Sequence, residues 1–189
     1  MTGNFNSSFV MFNTMKTETT MKKITIALVA HDSRKDELIE WVKFNKSTLE
    51  NCEIYATGTT GKKIEDNVFT TVENVVVKLP DGTEKTIEEK IVSKEIHKLK
   101  SGPLGGDSQI GAMICEEKID CLIFFCDHLI TPGHAYDVLG LSRLASLYNI
   151  AYATNRTTAD MLISSPLFTD HNYERIIPNC IDKYKNRQV

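Results

Sequence analysis

The sequence has no apolar run long enough to cross a membrane and no excess of basic residues. Its longest apolar run, CLIFFC at 121–126, is only as long as a β-strand. The 22 Lys and Arg residues are outnumbered by 25 Asp and Glu residues, which gives a net charge of −3. A general nucleic-acid binder needs a basic face, so this balance argues against one, although a local basic pocket for a small anion is compatible with it. We therefore expect neither a membrane nor a nucleic-acid partner.

The five cysteines include no CxxC pair, so we expect no zinc site and no bound metal. Cys121 and Cys126 flank a strand of buried character, where cysteine acts as a small hydrophobic residue. An odd number of thiols in such places indicates a reducing compartment, and we expect a cytoplasmic protein.

Residues 1–21 have neither the continuous apolar segment of a secretion signal nor the arginines of a transit peptide, and a weak organelle signal is the open alternative. They are rich in Asn, Thr and Ser. We predict a disordered tail at 1–21, with Met21 as an alternative start, and a single domain at 22–189.

Strand and helix patterns alternate along this domain. Apolar, β-rich runs predict strands at 23–30, 52–56, 118–127 and 150–155, with a candidate fifth at 174–179. Helices are predicted at 33–50, 137–149 and 157–165, and Ser33 and Asp36 fit a capping-box variant at the start of the first. The alternation predicts an α/β fold with a doubly wound, mainly parallel five-stranded sheet.

One segment interrupts the alternation. Residues 72–92 combine β-branched residues, a PDG turn and alternating Thr and Ile, which together predict a β-hairpin. The hairpin lies between the second strand and a glycine-rich segment at 101–111. We interpret it as an insertion that forms an edge or interface element.

Polar side chains follow the predicted strands at the ends where open α/β sheets bind ligands. They are His31, Asp32 and Lys35 after the first strand; Thr57, Gly58, Thr59 and Thr60 after the second; Asp127, His128, His134 and Asp137 after the third; Thr154 and Asn155 after the fourth; and Ser101, Gly102 and Asp107 on the connection before the third. We expect these groups to converge on one edge of the sheet.

The TGTTG segment at 57–61 follows a strand and opens a predicted helix. Such a loop offers backbone N–H groups, hydroxyls and a helix N-terminus to a phosphate, although an ordinary turn with threonine caps fits equally well. Lys35 lies in the first turn of its helix, where the macrodipole disfavours a cation. A bound anion would explain it, and a solvated surface lysine is the alternative. Together with SGP at 101–103, these features predict a phosphate pocket.

Asp107 follows the SGPLGG segment, where glycine lets the backbone approach a ligand closely. Two roles fit this residue: a catalytic base, or a helix N-cap, and a carboxylate engaged as an N-cap is the poorer base. Asp127 and Asp137 could supply like charges that counter this effect, and the carboxylates would then titrate as a set. His134 fits a catalytic residue at least as well as an ordinary loop histidine, whereas His128 fits the ordinary one.

Seven segments, taken in order, resemble the methylglyoxal synthase family. They are IALVAHDSRKDEL, YATGTTG, SGPLGGDSQIGAMI, KIDCLIFFCD, GHAYDV, RLASLYNIAYATNRTTADMLISSPLF and IIP, and they cover residues 23 to about 187 apart from the hairpin. One departure is the loop DHLITPGHAYDV, where the family tends to have D-P-L and further prolines around the histidine.

The resemblance implies conversion of dihydroxyacetone phosphate to methylglyoxal and inorganic phosphate by a homohexamer, without a metal or organic cofactor. It implies that Asp107 is the catalytic base, that Asp127 and Asp137 are supporting carboxylates, and that His134 moves protons at the substrate oxygens. The implied substrate-binding residues are His31, Lys35, Thr57, Gly58, Thr59, Thr60, Ser101, Gly102 and His134. Asp32 and Arg187 are implied in phosphate-responsive control between subunits.

Two other functions are compatible with this fold. It also occurs as a regulatory ligand-binding domain, as in the allosteric end of carbamoyl-phosphate synthetase, and an isomerase could act on the same triose phosphate. A binding module would not need Asp107, His134 and Asp137 together, so their joint presence favours the synthase.

Overall fold

A computed structural model of the chain describes residues 23–129, 135–170 and 172–187. The predicted tail at 1–21 and His134 lie outside these residues. For Asp137 the backbone is described but the side chain is not.

The body of the molecule is one five-stranded sheet in the order β5-β2-β1-β6-β7, and every neighbouring pair of strands is parallel. The strands are β1 (Thr25–Ala30), β2 (Glu53–Ala56), β5 (His97–Lys98), β6 (Cys121–Phe125) and β7 (Ala151–Ala153). The predicted doubly wound, mainly parallel five-stranded sheet is therefore confirmed.

Helices connect the strands and cover both faces of the sheet. They are α1 (Lys35–Phe44), α2 (Lys46–Leu49), α3 (Gly58–Ile64), α4 (Gly106–Cys115), α5 (Ala135–Leu147), α6 (Arg156–Ile163), α7 (Pro166–Thr169) and α8 (Asn179–Lys185). Short 3-10 turns occupy Asp32–Arg34 and Gly102–Leu104, and a π-helical turn occupies Glu65–Phe69. No helix among the described residues combines the length and apolar character needed to span a bilayer.

The core has two halves, one on each face of the sheet. Strand β1 is buried along its whole length and alternates between them: Ile26 and Leu28 face one half, whereas Ala27 and Val29 face the other. This alternation follows from the two-residue period of a strand, and burial on both faces explains why the strand reads as a continuous apolar run.

The prediction of a fifth strand at 174–179 is wrong. Within the described residues this segment has no strand, and Asn179 begins α8 directly after Pro178, which has no N–H to donate to a sheet. The fifth strand is β5, whose two residues pair with Tyr55 and Ala56 of β2.

The predicted hairpin is confirmed and is slightly longer than expected. Strands β3 (Thr70–Lys78) and β4 (Glu84–Val92) pair antiparallel along nine residues each and form a separate two-stranded sheet. We call residues 70–92 the β-ribbon. Its turn contains Gly82 with a φ of 84°, a left-handed conformation that glycine adopts without strain.

Candidate active site

The sheet order reverses between β1 and β6, so a crevice is expected beyond the carboxyl ends of these two strands. His31 and Asp127 lie there, one to two residues beyond their strands. The His31 N–H donates to the carbonyl of Phe125 over 3.2 Å, and the Asp127 N–H donates to Nδ1 of His31 over 2.8 Å. Because Nδ1 accepts a hydrogen bond, a neutral His31 ring carries its proton on Nε2.

Lys35 joins the ends of β1 and β2. It is the first residue of α1 and is only 8% exposed, so the alternative of a solvated surface lysine is wrong. Its Nζ donates to Oγ1 of Thr59 over 2.7 Å and forms an ion pair with the exposed carboxylate of Asp32. A buried cation next to a helix N-terminus is electrostatically costly, and Asp32 offsets part of that cost.

The threonine loop at 57–60 opens α3, as predicted. Thr57 precedes the helix but makes no capping hydrogen bond with its side chain; its hydroxyl donates instead to Oγ1 of Thr60 over 3.2 Å, and both side chains are buried. The Gly58 N–H donates to the carbonyl of Lys100 over 3.1 Å, which fastens the loop to the chain leaving β5. Thr57 is therefore the N-cap residue of α3 without a side-chain cap, and the phosphate loop stays a prediction.

The glycine-rich segment folds back tightly on itself. The Ser101 carbonyl accepts the N–H groups of Leu104 and Gly106, over 2.9 and 3.0 Å. A Cβ on Gly106 would lie 1.9 Å from the carbonyl oxygen of Lys100, so only glycine fits this position. Gly102 lies in the 3-10 turn, where no described atom is within 4 Å of its added Cβ.

Asp107 is the second residue of α4 and is partly exposed. The N-cap of this helix is Gly105, with a φ of 92°, so the alternative in which Asp107 serves as the N-cap is wrong. Within the described part of the chain the Asp107 carboxylate is not engaged in a capping hydrogen bond. Asp107 therefore stays a predicted catalytic base that lies directly after the folded 101–106 segment.

Asp127 is held by two hydrogen bonds at the end of β6. The Ser33 hydroxyl donates to Oδ2 over 2.5 Å and the Leu129 N–H donates to Oδ1 over 2.9 Å. The Ser33 bond, followed by the Leu129 bond, holds the pKa of Asp127 below its usual range. An ionised carboxylate of this kind is suited to a fixed negative charge rather than to accepting a proton at neutral pH. The predicted capping box is wrong, because Ser33 lies in a 3-10 turn and makes no cap hydrogen bond.

Other predicted site residues are not joined to this network in the described residues. Thr154 accepts the Cys126 N–H through its carbonyl, and Asn155 caps α6 by accepting the Thr158 N–H. Arg187 is exposed after α8, with its guanidinium 3.6 Å from the centre of the Tyr184 ring. His134 and the side chain of Asp137 fall outside the described residues, so their predicted places stay predictions.

Sequence reasoning missed two features that build the site. One is the contact of Ser33 with Asp127, which was predictable because Ser33 and Asp127 both follow strands at the same edge of the sheet. The other is Gly106, which lets the backbone before Asp107 touch Lys100. The signal was the consecutive pair Gly105 and Gly106. One glycine is enough for an N-cap, so the second indicates a further requirement such as a close backbone contact.

Two cavities lie away from this site. The larger, about 730 Å³, is at the amino ends of the strands; the residues that line it include Lys23, Asp120, Cys121, Ile150 and Arg175. The smaller, about 260 Å³, lies beside α2 and α7. The hydrogen bonds that tie four strand ends together make the carboxyl edge the better candidate site, despite the cavity of about 730 Å³ at the opposite edge. Across residues 23–129, 135–170 and 172–187, no cluster of three or more His, Cys, Asp or Glu side chains could hold a metal ion.

Known proteins of one kind match most of the chain. A family model described as an MGS-like domain matches residues 80–154. The methylglyoxal synthase of Pseudoalteromonas atlantica is 45% identical over 154 residues, which cover 82% of this chain and 96% of that protein. The methylglyoxal synthase of Coxiella burnetii is 43% identical over 170 residues, which cover 90% and 99% respectively. A crystal structure of methylglyoxal synthase from Elizabethkingia anophelis matches with a TM-score of 0.68 and 36% identity, over 88% of this chain and 93% of that one.

Proposed function

The chain belongs to the methylglyoxal synthase family, and from this premise we propose that it converts dihydroxyacetone phosphate to methylglyoxal and inorganic phosphate. The observation that carries the proposal is 41–48% identity to curated methylglyoxal synthases over most of their length and of this chain. The buried Lys35 and its bond to Thr59 support it independently, because they put a cation at the carboxyl edge of the sheet, next to the predicted phosphate loop.

The phosphate of the substrate is held at the threonine loop. Lys35 supplies the positive charge. Thr57, Gly58, Thr59 and Thr60 form the N-cap and first turn of α3, where the N–H groups of Thr59 and Thr60 lack helical acceptors. Ser101 and Gly102 close the other side, since the Gly58–Lys100 hydrogen bond keeps the two segments together. His31 completes the site by offering Nε2–H to a substrate oxygen.

Asp107 is the base. It removes a proton from the hydroxymethyl carbon next to the carbonyl, and the electrons of that C–H bond form the enediolate. General-base action of this kind contributes roughly 10²–10⁴ in rate, and positioning and charge stabilisation contribute the rest. His134 polarises the carbonyl and moves protons between the two oxygens, while Asp127 and Asp137 act as supporting carboxylates.

Phosphate leaves in the second step. The enediolate electrons expel it when the C–O bond to phosphate stands perpendicular to the enediol plane, and the enol that remains tautomerises to methylglyoxal. An isomerase acting on the same intermediate must prevent this alignment. The orientation in which Lys35 and the threonine loop hold the phosphate therefore decides the product.

Three further properties belong to the proposal. The reaction needs no metal or organic cofactor, since acid–base groups suffice for both steps. The active form is a homohexamer, in which Asp32 and Arg187 transmit a response to phosphate between subunits. The protein acts in the cytoplasm, where its five free thiols stay reduced.

Incubation of the purified chain with dihydroxyacetone phosphate tests the function, with free phosphate and methylglyoxal measured in parallel. We expect both products in equal amounts. Binding without release of phosphate would instead identify a regulatory binding module. Conversion to an aldose phosphate that keeps its phosphate would identify an isomerase.

A further inference from the structure

The β-ribbon exposes apolar side chains on both of its faces. Every residue of β4 is exposed, and in β3 only Thr70 and Val75 are partly covered. A two-stranded hairpin without a packing partner is marginally stable in water at best. The ribbon therefore has the composition of a surface that is covered by something else.

The pairing of β3 with β4 defines what each face carries. The rows of one face, here called the isoleucine face, are Thr71 with Ile91, Glu73 with Glu89, Val75 with Ile87, and Val77 with Lys85. The rows of the other, the valine face, are Thr70 with Val92, Val72 with Lys90, Asn74 with Glu88, Val76 with Thr86, and Lys78 with Glu84.

The isoleucine face contains a pair of like charges. Glu73 and Glu89 are directly opposite each other, an arrangement that destabilises an isolated antiparallel pair. Lys85 lies two rows further along the same face, with the apolar row of Val75 and Ile87 between them. The acidic row and the basic residue thus lie at equal distances on either side of an apolar row. If a second copy faces the first with its strands reversed, its acidic row lies over the basic residue of the first copy, and the converse also holds.

We infer that the isoleucine face of the β-ribbon packs against the isoleucine face of a second copy of this chain. The two-fold axis lies between the two ribbons, perpendicular to the strands and level with the row of Val75 and Ile87. It stacks this row on the same row of the second copy. The same rotation brings Glu89 of each copy over Lys85 of the other, which gives two symmetric ion pairs. Contacts of this kind are typical of isologous dimers.

Among two-fold axes perpendicular to the strands and level with a row of residues, no other axis on either face pairs opposite charges in this way. An axis through the row of Glu73 and Glu89 would stack acid on acid. On the valine face, an axis through Asn74 and Glu88 places Glu88 on itself, and an axis one row further places it over Glu84. Axes midway between rows of the valine face can also pair Lys90 with Glu88 or Glu84, but they stack no apolar row on itself. Opposite charges and an apolar row on the axis together select the isoleucine face and this register.

The size of the ribbon sets the strength of the contact. Nine residues per strand span roughly 30 Å, so one face covers only a few hundred Å² per copy. This area is smaller than a stable dimer needs. We expect ribbon pairing to add to other contacts between copies rather than to hold two chains together alone, and the experiment therefore reads out the ribbon contact itself.

Site-specific cross-linking tests the inference in the full chain. The exposed Cys115 and Cys180 are first replaced by serine, which leaves three buried thiols. Ile87→Cys then places a thiol on the proposed axis, and a short bismaleimide spans the ~10 Å between stacked sheets. Thr86→Cys is the matched control, because it is the next residue along the strand, is also exposed and lies on the valine face. We expect two chains to cross-link at least tenfold faster in the Ile87→Cys variant than in the Thr86→Cys variant.

Charge reversal tests the register. Added to Ile87→Cys, Lys85→Glu should slow cross-linking roughly tenfold, because two symmetric pairs change from attractive to repulsive. Lys85→Glu combined with Glu89→Lys should restore the rate. Circular dichroism checks that each variant folds.

Three outcomes would overturn the inference. Equal cross-linking rates in the Thr86→Cys and Ile87→Cys variants would show that the ribbons collide without a preferred face. An unchanged rate in Lys85→Glu would remove the ion pairs, and failure of the double reversal would remove the register. None of these outcomes depends on catalysis, so they are independent of the proposed function.

Discussion

The edge of the sheet that carries the candidate site and the β-ribbon have opposite relations to water. At the site, polar side chains are buried: Lys35, Thr57 and Thr60 are each at most 8% exposed and each has a hydrogen-bond partner. In the ribbon, apolar side chains are exposed, with Val72 and Val76 both 56% accessible. Buried polar groups and exposed apolar groups are the two informative exceptions to ordinary burial. The first kind suits a small charged ligand, and the second suits another macromolecule.

The two regions also differ in how they are attached. The site is built from the ends of four strands that are bonded to one another, whereas the ribbon is joined to the body at its root. There the Ser93 N–H donates to the Phe69 carbonyl over 2.7 Å, and Lys94 donates to the carbonyls of Glu50 and Cys52. A change at the site should therefore alter chemistry or stability, and a matched change in the ribbon should alter neither.

Replacing the proposed base should have the largest effect. Asp107→Asn keeps the shape of the side chain but removes its ability to accept a proton, so kcat should fall by roughly 10³-fold or more, toward the upper end for loss of a general base. Glu88→Gln removes a carboxylate from the ribbon and should leave kcat unchanged. Steady-state release of phosphate measures both variants. Near-normal turnover of Asp107→Asn would exclude Asp107 as the base.

A methyl group on Gly106 should have the next largest effect, this time on stability. The added Cβ collides with the Lys100 carbonyl, and we expect Gly106→Ala to lower the free energy of unfolding by about 3 kcal/mol. Gly140→Ala is the control within a helix: no described atom is within 4 Å of its Cβ, so it should raise stability by roughly 0.5–1 kcal/mol. Urea denaturation compares the two, and equal midpoints would contradict the close contact.

Removing the buried cation should mainly weaken substrate binding. Lys35→Met keeps the apolar part of the side chain and loses the charge, so KM should rise roughly tenfold, with a smaller change in kcat, because a hydrogen bond to a charged group is lost. Lys90→Met makes the same change in the ribbon and should leave KM unaltered. If KM is unchanged in Lys35→Met, this lysine does not hold the phosphate.

The smallest expected effect is a shift of one titration. Ser33→Ala removes the main cause of the low pKa of Asp127, so this pKa should rise toward its usual value. Because the folded pKa is depressed, the stabilisation by this carboxylate is present above its unfolded pKa of about 3.9 and is lost as the pH falls through the folded value. In Ser33→Ala this stabilisation should therefore be smaller, and its loss should be complete at a higher pH.

The ribbon contains a second carboxylate whose pKa is lowered by a hydroxyl, and it serves as the control for this titration. At its turn the Thr83 hydroxyl, followed by the Thr83 N–H, lowers the pKa of Asp81 in the same way. Carboxyl-carbon NMR can follow both groups in one sample. Thr83→Ala should raise the pKa of Asp81 alone; a simultaneous shift of Asp127 would show that the two regions are coupled.

The sequence contained enough information to predict the body of the fold. The run at 121–126 is apolar on both faces, which is typical of a central parallel strand, and Lys35 and the threonine loop follow strands that end at the same edge. Strand β5 was not predictable, because its two exposed residues, His97 and Lys98, have no apolar period. The segment at 174–179 had the apolar composition of a strand but contains Pro178 just before a helix.

Finer features of the site depend on contacts between distant residues. The burial of Lys35 follows from its approach to Thr59, 24 residues away, and a helical pattern alone fits an exposed lysine equally well. The glycines before Asp107 indicated a close approach without revealing that Lys100 is the partner. Local patterns therefore locate the site, whereas the roles of individual polar groups depend on tertiary structure.

The root of the ribbon has a practical consequence. Thr70 and Val92 pair across the ladder, so the chain leaves the body and returns to it within one strand spacing. Beyond that point, Glu65 accepts hydrogen bonds from the Ile96 N–H and from Lys98, which fixes the returning chain on the body. A foreign sequence inserted between Pro80 and Asp81 would thus project from the tip of the β-ribbon, and the ribbon would hold both of its ends away from the candidate active site. Reporter peptides or fluorophores could be grafted there to follow assembly in a working enzyme.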